Sequence, residues 1–166
     1  MNKVPWYESQ LIGVIAGGLL VFLASFANSF LAKRRERKNL IRGIRAEIKV
    51  LIGFLESGLE TVGWYRKTLG KGHSLTKFTY TGDFELLFLN SNLDKFGLLD
   101  EDVLAKIAEL RGTLNATQLA MKTLIENQIP SFLAKEINIT TLRSFFLATE
   151  NSLSYLIKLG KEIIDS

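Results

Sequence analysis

Hydrophobic and polar positions fall into three regimes along the chain. Residues 11–32, LIGVIAGGLLVFLASFANSFLA, carry no charge, and apolar side chains occupy every side of the helical wheel. Between residues 44 and 69 the spacing changes to alternating fours and threes: Ile44, Ile48, Leu51, Leu55, Gly58, Val62, Tyr65 and Leu69. That is an a/d seam, and Ile41, Ile52 and Leu59 widen it to the stripe of a bundle helix. The third regime is a series of shorter helical stripes separated by turn residues. Residues 77–82, KFTYTG, form one short extended or irregular stretch, and the helical patterns elsewhere make the predicted fold all-α.

Length separates the first regime from the others. At about 1.5 Å of rise per residue, 22 residues span roughly 33 Å, the thickness of a bilayer core. A transmembrane helix is therefore expected over residues 11–32, preceded by a short external N-terminus, residues 1–10. Pro5 suits a first helical turn and Glu8 its positive dipole end, while Trp6 and Tyr7 suit a headgroup interface. No proline falls between Pro5 and Pro130, and no glycine between Gly18 and Gly43. The span is thus predicted to continue into a long helix of an antiparallel bundle, reaching about Leu69. Each interior glycine costs about 1 kcal/mol relative to alanine, and Gly43 is the expected place for a bend.

The basic juxtamembrane helix, residues 33–49, leads into a cytosolic bundle, residues 50–166. Gly70, Lys71, Gly72, His73 and Ser74 mark the first break. Asp83 is placed to cap a helix over FELLFLNSN, followed by a turn ending at Gly97 with Leu98 and Leu99 in the core. Asp100, Glu101 and Asp102 open the next helix, with the stripe Val103, Ile107, Leu110, Leu114, Met121 and Leu124. Pro130 is expected to reset the chain. A last helix or broken pair follows, carrying Leu142, Phe145, Phe146, Leu153, Leu156, Leu159 and Ile163.

Charge fixes an expected topology. Lys33, Arg34, Arg35, Arg37, Lys38, Arg42, Arg45 and Lys49 face only Glu36 and Glu47, a local net of +6 in a chain of net +4. Basic flanks stay cytoplasmic, so the N-terminus is expected outside and the bundle inside. A cleaved signal peptide, with Ser25-Phe26-Ala27 as its site, fits less well: the charge follows the apolar run instead of preceding it. The absence of cysteine agrees with a reducing compartment. With the bundle inside, the sequons at Asn115 and Asn138 are chance matches. Lys33, Arg34, Arg35, Arg37 and Lys38 suit anionic lipid headgroups, each contributing about 1 kcal/mol near the surface. Nucleic acid is not the expected partner, because no aromatic residues interleave with these cations.

Within the span, Gly13, Gly17, Ala24 and Asn28 share one helical face, and Gly13 and Gly17 form a small-xxx-small pair. In lipid, such a face lets backbones approach and polar side chains bond across, so the expected partner is a second copy of the chain. A water-lined pore is the further expectation.

The block FLNSNLDKFGLL at residues 88–99, followed by an acidic helix start and Ile107, resembles a segment of small bacterial single-pass inner-membrane proteins. Those carry one N-terminal membrane helix and a helical cytosolic domain. The likeness implies a bacterial inner-membrane location and brings no activity or site residues with it.

Candidate chemistry is sparse. His73 is the one histidine and there is no cysteine, which leaves no basis for a metal site. No phosphate-binding glycine loop is present, and no cofactor is expected. Arg66 and His73 have a spacing that resembles the arginine–six–histidine motif of HEPN nucleases, where the pair converges on RNA phosphate. A solvated basic loop explains the same residues more simply. The expected protein is non-enzymatic and self-associating, a small pore-forming or membrane-disrupting effector, as in stress or phage defence. The alternative is a membrane-tethered adaptor or sensor that docks a cytosolic protein.

Overall fold

A computed structural model describes residues 6–70, 84–133, 135, 136 and 138–166, without the side chains of residues 6–12, 16 and 70. Every described element is helical: α1 (Trp6–Gly70), α2 (Leu87–Ser91), a 3₁₀ turn (Leu93–Leu98), α3 (Glu101–Thr123), a π-helical segment (Leu124–Gln128), α4 (Ile129–Leu133) and α5 (Ile139–Asp165). The chain divides into two compact units, Met1–Ile41 and Arg42–Ser166.

In the second unit the seam of α1 is buried as its period requires. Ile44, Ile48, Leu51, Ile52, Leu55, Val62, Tyr65 and Leu69 all lie in the core. They meet α5, whose buried stripe is Leu142, Phe146, Thr149, Leu153, Leu156, Ile157, Leu159, Gly160 and Ile163. The two helices run antiparallel: Tyr65 stacks on Phe146 at 6.2 Å, Gly58 faces Leu153, and Gly160 faces Ile48 and Ile52. A Cβ on Gly160 would lie 3.1 Å from Ile52 Cγ1, so the missing side chain sets how closely the helices approach. On its other flank α5 packs antiparallel to α3, with Tyr155 donating to Glu109 and Lys106 lying 3.9 Å from Glu162. That bond to Glu109 holds the exposed Tyr155 phenol above its ordinary pKa, since the carboxylate favours the protonated donor.

Two boundaries differ from the sequence expectation. The helix expected from Asp83 begins at Leu87 instead, and Asp83 lies outside the described residues. A five-residue helix does not sustain itself in water. Here its first N–H groups find a distant acceptor: Glu47 on α1 takes hydrogen bonds from Phe88 N at 2.7 Å and Leu89 N at 3.0 Å. Phe88 then covers Gly43 so closely that an added Cβ would overlap the tip of its ring at Cζ. Gly43 lies within the helical run of α1 and serves as the seat for this aromatic side chain.

Pro130 does not break the helix at the expected place. Its ring and missing N–H disturb the preceding turn, and the helix answers with a π segment over Leu124–Gln128 before continuing to Leu133. The reset comes later. Glu136 N bonds Ser131 O at 2.8 Å and Lys135 N bonds Phe132 O at 2.9 Å, the paired bonds of a Schellman cap. Lys135 takes the left-handed position at φ 63°. Asn138 then starts α5, its side chain accepting from Thr141 N at 2.8 Å. Leu99 is buried as expected, whereas Leu98 and Val103 are half-buried. Thr117 fills the turn of α3 that lacked an apolar residue, donating to Thr113 O at 2.8 Å.

Two substitutions check this account. Gly43→Ala, which ordinarily stabilises a helix by up to about 1 kcal/mol, should here destabilise the folded domain by about 1–3 kcal/mol through overpacking on Phe88. Lys135→Gly should raise stability by about 0.5–1 kcal/mol by relieving the left-handed backbone. Urea unfolding of the full chain in detergent measures both. A stabilising Gly43→Ala would contradict the Phe88 contact.

Candidate functional site

The first unit contains the apolar stretch of α1. By length and hydropathy α1 is the one helix among the described residues able to cross a bilayer. Its best 18-residue window has mean hydropathy 2.0, and none of that window is buried against protein. Val14, Phe22, Phe26 and Phe30 are 61–75% exposed. In water such a surface is unfavourable, since burying one large apolar side chain is worth about 1.5–3 kcal/mol. Gly13, Gly17, Ala24 and Asn28 are all exposed, and nothing lies within 4 Å of where a Cβ would stand on Gly13 or Gly17. The helical period places these four residues along one face.

Immediately after this stretch, Lys33, Arg34, Arg35, Arg37 and Lys38 are exposed, with Glu36 the one acid among them. The side chains of Trp6, Tyr7 and Glu8, expected at the opposite border, lie outside the described residues, as does Pro5.

The second unit places Arg66 on α1 facing α5. Its Nε lies 2.9 Å from both carboxylate oxygens of Glu150, and Glu150 is only 13% exposed at the side chain. His73 lies outside the described residues, and the expected Arg66–His73 pairing lies outside them with it. Among the described residues no cluster of histidine or acidic side chains is arranged to hold a metal ion.

Two adjoining recesses share Arg66. One, of about 220 Å³, is lined by Arg66, Thr140, Arg143, Ser144 and Leu147. The other, of about 480 Å³, is lined by Leu59, Glu60, Gly63, Trp64, Lys67, Arg66 and Glu150. Trp64 is 60% exposed and packs edge-on against Tyr65 at 5.0 Å. Sequence reasoning singled out neither Arg143 nor Trp64. Their one signal is positional: both fall on the polar side of strongly periodic helices, where an aromatic ring or an unpaired guanidinium has no packing role.

Compared with models of known protein families, with curated proteins and with solved structures, the chain matches none.

Proposed function

We propose that this chain is a single-pass membrane protein that self-associates through its membrane helix and carries a helical domain on the cytosolic side. The carrying observation is the apolar stretch of α1, long enough for a bilayer and unburied among the described residues. The adjoining exposed cations support the orientation, N-terminus outside and second unit inside, as in a bacterial inner membrane. Gly13, Gly17, Ala24 and Asn28 form the association face, where close backbone approach and an interhelical bond from Asn28 replace the hydrophobic drive that lipid removes. Lys33, Arg34, Arg35, Arg37 and Lys38 contact anionic headgroups. Assembled spans open or disrupt the membrane, which makes the protein a pore-type effector of the kind used in stress or phage defence. No enzymatic step and no cofactor enter this reading.

A second reading, a membrane-tethered adaptor or sensor, draws on a different observation: the second unit has its own core and a partly exposed Trp64 beside a recess. Leakage separates the two. Purified full-length chain added to dye-loaded vesicles containing anionic lipid should release the dye, and Gly17→Leu should abolish release while shifting the detergent-solubilised protein from oligomer to monomer. No release from the unsubstituted chain would favour the tether. Release that survives Gly17→Leu would remove the small-residue face as the assembly surface.

A further inference from the structure

The recess between α1 and α5 has a chemistry that the membrane reading leaves unused. We infer that it binds the phosphate group of a small organic phosphate, held between Arg66 and Arg143, with the organic part lying in the adjoining recess over Gly63 and beside Trp64.

Two guanidinium groups line one recess of about 220 Å³. Like charges brought together are unfavourable unless a counter-charge is supplied. Glu150 supplies it for Arg66, fixing that side chain through Nε. A guanidinium held at Nε keeps its planar fork for a second acceptor, the geometry that favours oxyanions. Arg143 has no acidic partner among the described residues and is exposed. Among the described residues, Arg66, Arg143 and Glu150 together leave one net positive charge at the recess. Thr140 adds a hydroxyl that has no hydrogen-bond partner among the described residues, whereas Ser144 already donates to Thr140 O at 3.0 Å.

The second recess explains the preference for an organic phosphate over the bare ion. Leu59 and Trp64 give it apolar walls, and Gly63 puts no side chain into it. The Glu150 carboxylate borders that glycine, its Oε1 lying 3.2 Å from where a Gly63 Cβ would stand. Lys67 lies at the same recess and adds to the positive field, set against Glu60. An anionic head with a flat apolar body matches this pair of recesses, since affinity comes from desolvated apolar area and specificity from a few placed donors.

Phenyl phosphate is the probe. Titrated against the full chain in a non-ionic detergent, it should quench tryptophan fluorescence and raise the unfolding midpoint more than inorganic phosphate, and both more than chloride at equal ionic strength. Arg143→Gln, at an exposed position, should weaken both phosphates by about tenfold or more with the ligand-free midpoint unchanged. Trp64→Leu should remove the advantage of phenyl phosphate over phosphate. A parallel arm uses phosphatidylglycerol vesicles: protection by vesicles without protection by soluble phosphate would overturn the small-molecule assignment. Equal effects of phosphate and chloride, or binding indifferent to Arg143→Gln, would overturn the site itself. Neither result bears on dye leakage, so this site and the membrane reading fail independently.

Discussion

An apolar helical surface must be covered, and in the stretch of α1 before Lys33 the best apolar window has none of its surface buried among the described residues. Large side chains such as Val14, Phe22 and Phe26 remain mostly exposed. At about 1.5–3 kcal/mol for each large side chain, leaving them in water would rival the whole stability of an ordinary domain, about 5–15 kcal/mol. A second copy alone covers one face of a helix and leaves the others bare. Hydrocarbon covers every face, which is why the proposed function starts from a bilayer and treats self-association as a further step within it.

The second unit solves the same problem by conventional packing, and its details depend on missing side chains. Gly160 brings α5 close to Ile48 and Ile52, while Gly43 admits the Phe88 ring. The Phe88 contact also explains why a five-residue helix persists. Its N–H groups are satisfied by Glu47, forty-one residues away from Phe88 in sequence, so α2 is a tertiary feature as much as a local one. The recess at Arg66 and Arg143 sits on the outside of this packing. Nothing in the core requires those two arginines to lie together.

Strong periodicity was legible in the sequence and distant partnership was not. The alternation from Ile44 to Leu69 and the stripe of α5 are set by 3.6-residue geometry, and nearly all of those positions are buried. The start of α2 was misplaced because a local acid, Asp83, was the natural cap to seek, whereas the acceptor is Glu47. Pro130 was expected to end a helix because it usually does. A π segment absorbs it, and the chain turns at Lys135, a residue type that gives no sign of left-handed backbone. The small-residue face and basic cluster were visible as patterns, but Arg143 carried no pattern at all. It gained meaning only when folding set it beside Arg66.

The central claim concerns what solvates residues 13–32, and extraction tests that most directly. Membranes from cells expressing the full chain are washed with alkaline carbonate, which strips proteins held by charge or by peripheral contact. This account predicts that the intact chain stays in the pellet and enters the supernatant only with detergent. Release of the intact chain by carbonate alone would contradict it.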